Sequence, residues 1–266
     1  MPLIVRIEDP ADPRIEPYRD VRERDLVGRR GGFIAEGEVV LNVLLRSSRH
    51  RAESLLLAEK RLEPLLPLLE RLPGDVPVHV ASQAVLDTIA GFHLHRGILA
   101  FGRRAADEGA ETLLARLPER ALVVAAFGIG NHDNIGGIFR NAAAFGAQAV
   151  LLDPTCCDPL YRKAIRVSVG AALSVPFARI EEGVDAVDLL RRHGFETLAL
   201  SPAGGELLAR VERPPRAAVL LGAEGPGLPA AVLSKARTVS IPMAGEFDSL
   251  NVATACGIAL HHFVFG

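Results

Sequence analysis

The sequence predicts an α/β protein in two parts, the second a mostly parallel sheet covered by helices on both faces. Three observations predict it. Short continuous apolar runs alternate with helical patterns along the second half, as in a sheet buried on both sides. A polar, acidic stretch, 106–120, containing Asp107, Glu108, Glu111 and Pro118, separates this half from a smaller region that also alternates strands and helices. The 266 residues are 49% apolar and 23% charged, enough to build a core and unlike a disordered chain.

In chain order, residues 1–20 are rich in Pro and Asp and are expected to lack regular structure. Phe33–Ala35 reads as a strand, Val39–Leu45 as an apolar-periodic helix, Ser54–Leu57 as a strand and Leu62–Arg71 as a helix. Pro73-Gly74 makes a turn, Val76–Val80 a strand, Gln83–Ile89 a short helix and Ile98–Phe101 a last strand. The connector has room for one short helix. Beyond it Ala121–Phe127, Ala149–Asp153, Glu196–Ser201, Ala217–Leu221 and Thr238–Pro242 are strand candidates. Helical patterns fall at 135–146, 159–167, 184–193, 229–236 and 250–265. Ligands of such sheets bind beyond the carboxyl ends of the strands, which directs attention to the loops at 128–134, 222–228 and 243–250.

The net charge of −2, from 30 basic and 32 acidic residues, excludes a polycation that binds nucleic acid along its whole surface, although a local basic patch is compatible with it. The N-terminus lacks a signal peptide's apolar segment, and no apolar run reaches membrane-spanning length, so a soluble cytoplasmic protein is expected. Cys156, Cys157 and Cys256 fit neither a disulfide framework nor a zinc spacing, and His93-x-His95 lacks a carboxylate or cysteine to complete a metal site.

The first loop, Gly128-Ile-Gly-Asn-His-Asp-Asn134, opens a helix in which Ile135, Ile138, Phe139 and Ala142 form one stripe and Arg140 points well away from it. Asn134 is the expected N-cap and Gly146 the stop. Gly136-Gly137 costs such a helix about 1 kcal/mol per residue, which implies close approach of another backbone or a ligand. The second loop, Gly222-Ala-Glu224-Gly-Pro-Gly227-Leu228, is a tight turn that matches no dinucleotide or P-loop phosphate fingerprint. In the third, Ile241-Pro-Met-Ala-Gly245-Glu-Phe-Asp-Ser249-Leu250-Asn251, Ser249 is the expected cap of the final helix.

Taken in order, Asn134-Ile-Gly-Gly-Ile-Phe-Arg140-Asn, Leu-Gly222-Ala-Glu224-Gly-x-Gly-Leu228 and Ile241-Pro-Met-x-Gly245-x-x-x-Ser249-Leu-Asn251-Val resemble the three motifs of the SpoU/TrmH-type RNA 2′-O-ribose methyltransferases. Phe33-Ile-Ala-Glu36-Gly37 and Arg96-Gly97-Ile-Leu-Ala-Phe look like the ribosomal-protein-like domain that often precedes that catalytic domain. The resemblance implies an RNA substrate-binding α/β domain at 1–105, a linker at 106–120 and a methyltransferase domain at 121–266 whose C-terminal chain is tucked into a trefoil knot. It further implies methyl transfer from S-adenosylmethionine to a ribose 2′-hydroxyl without a metal, by a homodimer.

Arg140 matches the family's catalytic arginine, and Asn134, Glu224, Ser249 and Asn251 match residues expected to orient it and the substrate. Gly222, Ile241 and Leu250 match donor-binding positions. Asn141 stands where many relatives carry Thr. The N-terminal domain favours ribosomal over transfer RNA. With only Lys60, Lys163 and Lys235 as lysines, RNA contact falls to arginines, first Arg46, Arg49 and Arg51, then Arg19, Arg22, Arg24, Arg29 and Arg30. The alternative is a non-catalytic RNA-binding or ribosome-assembly protein on the same fold.

Overall fold

A computed structural model describes residues 3–19, 31–245 and 248–266. The basic positions Arg22, Arg24, Arg29 and Arg30 lie outside the described residues. The chain divides into two compact units, Met1–Ala106 with Leu160–Ser174, and Asp107–Pro159 with Val175–Gly266.

In the first unit, β1 (Leu3–Ile7), β2 (Gly32–Glu36), α1 (Glu38–Arg46), β3 (Arg51–Ala58), α2 (Glu59–Leu69), β4 (Pro77–Ala81), α3 (Gln83–Ala90) and β5 (Ile98–Arg103) form a five-stranded sheet with helices. The strand order is β1-β4-β3-β5-β2, with β1, β4 and β3 parallel and β5 antiparallel to both β3 and β2. The N-terminal expectation is corrected here. Leu3–Ile7 is an edge strand on β4, and Pro13–Tyr18 is a 3-10 helix whose Ile15 and Tyr18 are buried. Period-two alternation is missing from β1 because an edge strand has little to bury: Leu3 and Ile4 remain exposed. Tyr18 then ties this segment to the sheet, its hydroxyl 2.7 Å from Ser54 Oγ and accepting from the Phe101 amide at 3.1 Å. The returning segment Leu160–Ser174 completes the unit, with Ser47 Oγ donating to the Leu173 carbonyl at 3.1 Å.

The second unit holds the predicted parallel sheet. Its elements are α4 (Ala110–Ala115), β6 (Ala121–Ala126), α5 (His132–Ala144), β7 (Ala149–Leu152) and then α6 (Arg162–Val167) within the segment belonging to the first unit. They continue as β8 (Phe177–Arg179), α7 (Ala186–Arg192), β9 (Glu196–Leu200), β10 (Glu206–Leu207), β11 (Arg216–Leu221), α8 (Ala230–Leu233), β12 (Arg237–Ser240) and α9 (Val252–Phe265). All seven strands pair in parallel in the order β10-β12-β9-β11-β6-β7-β8. The central strands β6 and β11 are buried almost throughout, which is why they read as unbroken apolar runs. The short strands β8 and β10 carry too few residues to show a pattern. Among the described residues no helix is long and apolar enough to cross a membrane.

Candidate active site

At the carboxyl ends of β9, β11 and β12 the second unit opens a cavity of about 190 Å³, lined by the loop after each of these strands and by the start of α9. Gly222, Glu224, Ile241, Ser249 and Leu250 all line it. So do Ser201 and Pro202 after β9, Met243, and Val252 and Ala255 on α9, none of which the motifs singled out. The signal that could have found Ser201-Pro202 was already available, since they end a strand of the same parallel sheet.

Gly222 has a local reason to be glycine. A Cβ there would lie 2.1 Å from the backbone carbon of Gly227 and 2.2 Å from the Leu228 nitrogen. The loop folds back on its own start, held by the Gly227 amide donating to the Ala223 carbonyl at 2.9 Å, with Gly225 and Gly227 at φ 86° and 72°. Gly222→Ala is therefore expected to cost about 1–3 kcal/mol of stability, because the obstacle is backbone and cannot rotate away. Denaturant unfolding of the variant measures this.

Asn251 gathers the three loops. Its Nδ2 donates to Asn134 Oδ1 at 2.8 Å and to Glu224 Oε1 at 2.9 Å, while its Oδ1 accepts from the amides of Ala253 and Thr254 at 3.0 and 3.2 Å. The amide's two donors and both acceptor positions are all in use. The orientation is fixed by chemistry, because only the oxygen can face two backbone N–H groups.

This corrects two capping assignments. Asn251, not Ser249, caps α9, and Ser249 Oγ instead donates to Asp248 Oδ1 at 3.2 Å. Likewise Asn131 caps α5, accepting from the Asp133 amide at 2.8 Å, which leaves Asn134 buried in the first turn with its side chain turned to Asn251. In both cases the cap lies where a side-chain oxygen can reach the free first-turn amides, and the neighbouring polar residue is left for the site.

One of the paired glycines of α5, Gly137, is explained by helix packing. A Cβ on Gly137 would come 2.6 Å from Ala253 Cβ, so α5 and α9 touch nearly backbone to backbone. Asn141 Nδ2 donates to the Ala253 carbonyl across this contact at 2.6 Å, against Gly257. Arg140, next to it, is exposed, forms no hydrogen bond or ion pair with any described residue and is not among the residues that line the cavity.

Arg46 and Arg51 are exposed and Arg49 is half-buried in the first unit, where Arg51 forms an ion pair with Asp75. His93 Nδ1 lies 2.6 Å from Asp87 Oδ2, and Asp87 is held down at about 2 chiefly by the Leu94 amide and then by His93. A carboxylate does stand beside the histidine pair, but its oxygens are taken up by this local turn. The Cys156 thiol, pushed up to about 12 by burial, bonds the loop backbone between Ala126 and Ile129. Burial likewise raises Cys157 to about 11 and Cys256 to about 12, so none is an activated thiolate.

The arrangement is a cavity with a glycine-rich loop in its lining, beside which one asparagine joins three loops. A model of the SpoU rRNA Methylase family matches residues 121–261, the stretch that builds it. The chain belongs to this family. A Mycobacterium bovis protein described as an uncharacterised tRNA/rRNA methyltransferase is 41% identical over 95% of this chain and 89% of its own length. The 23S rRNA (guanosine-2′-O-)-methyltransferase RlmB of Salmonella typhi is 30% identical over 84% and 93%. A crystal structure of an RNA 2′-O ribose methyltransferase superposes with a TM-score of 0.77 at 28% identity over 97% of both chains. Both units of this SpoU-family protein are thus matched by relatives spanning nearly all of it.

Proposed function

We propose that the protein transfers a methyl group from S-adenosylmethionine to a ribose 2′-hydroxyl of RNA, with ribosomal RNA as the substrate class. The observation that carries this reading is the Asn134–Asn251–Glu224 bridge, tied to the cavity through its lining residue Glu224, which unites the motif residues of a family whose relatives methylate RNA. The donor supplies an electrophilic sulfonium methyl whose transfer cancels its positive charge. Gly222, Ile241 and Leu250 would hold it: the first leaves room for close approach to the backbone, and Leu250, 38% exposed, offers an apolar surface to the cavity.

Glu224, Ser249 and Asn251 position the ribose, and Asn134 supports Asn251 from within α5. Arg140 clamps the substrate phosphate and stabilises the oxygen as the hydroxyl loses its proton. Guanidinium groups stay protonated in proteins, so the proton leaves through phosphate or water rather than onto arginine. Arg46, Arg49 and Arg51 bind further phosphates on the first unit, the RNA-binding domain of this reading. Incubation with methyl-labelled donor and unmodified ribosomal RNA tests the function: label in RNA supports it, and donor binding without transfer to ribosomal or transfer RNA favours the binding-only alternative.

We further infer a cytoplasmic homodimer whose C-terminal chain carries the family's trefoil knot. Along α9, Ile258, His261 and Phe265 form an exposed stripe continued by Phe145, with ring centroids of 5.8 Å for Phe145–His261 and 5.5 Å for His261–Phe265. Phe265 is 68% exposed, an expensive surface for a monomer. A dimer also gives Arg140 a place to act, at the partner's donor cavity. Phe265→Asp is expected to convert a dimer to monomers in analytical ultracentrifugation; a monomeric wild type would contradict the assembly.

A further inference from the structure

The first unit contains a second cleft, of about 550 Å³, that the proposed chemistry does not use, although Arg96 and Ile98 of the Arg96–Phe101 motif line it. Lys60, Arg61, Arg96 and Arg166 line it, with His95 at its edge and Glu38 as the one lining carboxylate. In a chain of net charge −2 this is a local departure, and its pairing is uneven. Arg61 is taken by Glu38 at 2.9 Å, and Arg166 lies 3.7 Å from the buried Glu36. Lys60 and Arg96 form no ion pair or hydrogen bond with any described residue.

The cleft is also built on backbone. Its floor includes the first turn of α1, Glu38 to Val40, whose N-cap is Gly37 at φ 93° with no side chain capping the free amides. Arg96 lies against that glycine, since a Cβ on Gly37 would be 2.9 Å from Arg96 Cδ. The arginine's loop is pinned on both sides: the Gly97 amide donates to the Leu94 carbonyl at 3.1 Å, the Ala58 amide to the Gly97 carbonyl at 2.9 Å and the Gly37 amide to the Ile98 carbonyl at 3.0 Å. On the other wall the lining residue Val169 is at φ 55°, the left-handed turn that ends α6, closed by the Gly170 amide donating to the Ile165 carbonyl at 2.9 Å.

We propose that this cleft binds phosphate groups of the RNA backbone, with Lys60, Arg96 and the free amides of α1 as the anion receptor. Resting on the RNA substrate proposed above, it adds an anchoring site distinct from the Arg46–Arg51 patch. Arg166, from the segment Leu160–Ser174, lines the same cleft, so two separated stretches of the sequence build its walls. Backbone amides at a fixed helix start, with an arginine carried on a hydrogen-bonded loop beside them, favour a bound phosphodiester over a diffuse counterion layer, because the amides are already oriented before RNA arrives.

The test measures affinity of the full-length protein for a ribosomal RNA transcript at several salt concentrations, for wild type, Lys60→Gln, Lys60→Gln/Arg96→Gln and the control Arg6→Gln, a cation of the same unit outside the cleft. The slope of log affinity against log salt is expected to become shallower by about 0.7–0.9 for each RNA phosphate that a variant no longer neutralises. The double variant binds roughly ten-fold more weakly at low salt, and Arg6→Gln matches wild type. Lys60 is exposed and has no ion-pair partner among the described residues, so its single variant folds, and unchanged melting and S-adenosylmethionine binding check both variants. Unchanged slopes in the cleft variants overturn the proposal, as does equally tight binding of inorganic phosphate or a mononucleotide. Cleft-dependent binding by a protein that transfers no methyl would instead leave the anchor standing and remove the catalytic reading.

Discussion

Asn251→Ala is expected to reduce methyl transfer at least about 100-fold while lowering stability by only about 1 kcal/mol. The stability cost is the lost cap, because Oδ1 alone serves the amides of Ala253 and Thr254. The activity cost has a different origin: Nδ2 is the one group that joins Asn134 to Glu224, and without it the loops after β6 and β11 lose their shared partner. Asn251→Asp separates the two effects. It keeps an oxygen for the cap but cannot donate, and it sets a carboxylate against Glu224. The cap's share of stability should be kept, while the lost donations to Asn134 and Glu224 remove transfer. Steady-state transfer assays with denaturant unfolding read both, and an active Asn251→Asp enzyme would refute the bridging role.

The second large effect is expected at Arg140. Arg140→Ala should lower kcat by about 10²–10³-fold, the range for removing one group that stabilises developing charge. Thermal unfolding should not change, since the side chain is exposed and makes no described hydrogen bond or ion pair. Arg140→Lys discriminates the role. A lysine keeps the charge but loses the planar fork, so a bidentate clamp predicts most of the alanine loss. Near-normal turnover of Arg140→Lys would mean that charge alone suffices. Mixing Arg140→Ala with a donor-site variant such as Leu250→Asp adds a check on the dimer, because recovered activity in mixed dimers requires sites shared between chains.

Much of this was legible in the sequence because the second unit buries its strands on both faces, and burial of that kind writes itself as unbroken apolar runs. β6 and β11 and the loops that follow them could be placed to within a residue or two. Residues with one local explanation were harder. Asn131, Asn134, Ser249 and Asn251 are all good caps by type, and only three-dimensional reach decides which one meets the free amides. The Gly136-Gly137 pair announced a close approach without naming the approaching helix. β1 was hidden by its edge position, where exposed Leu3 and Ile4 show no inward periodicity. The allegiance of Leu160–Ser174 to the first unit follows from long-range pairings, such as that between Ser47 and Leu173, which no local pattern encodes. The Lys60–Arg96 cleft is of the same kind, its cations being dispersed along the chain.

The central claim concerns where the methyl group goes. Ribosomal RNA labelled by the protein from methyl-labelled S-adenosylmethionine should be hydrolysed in alkali and the products separated. Methylation of a ribose 2′-hydroxyl removes the nucleophile that alkali needs, so the account predicts label confined to alkali-resistant dinucleotides and absent when Arg140→Ala replaces the wild type. Label recovered in mononucleotides would place the methyl on a base and contradict it.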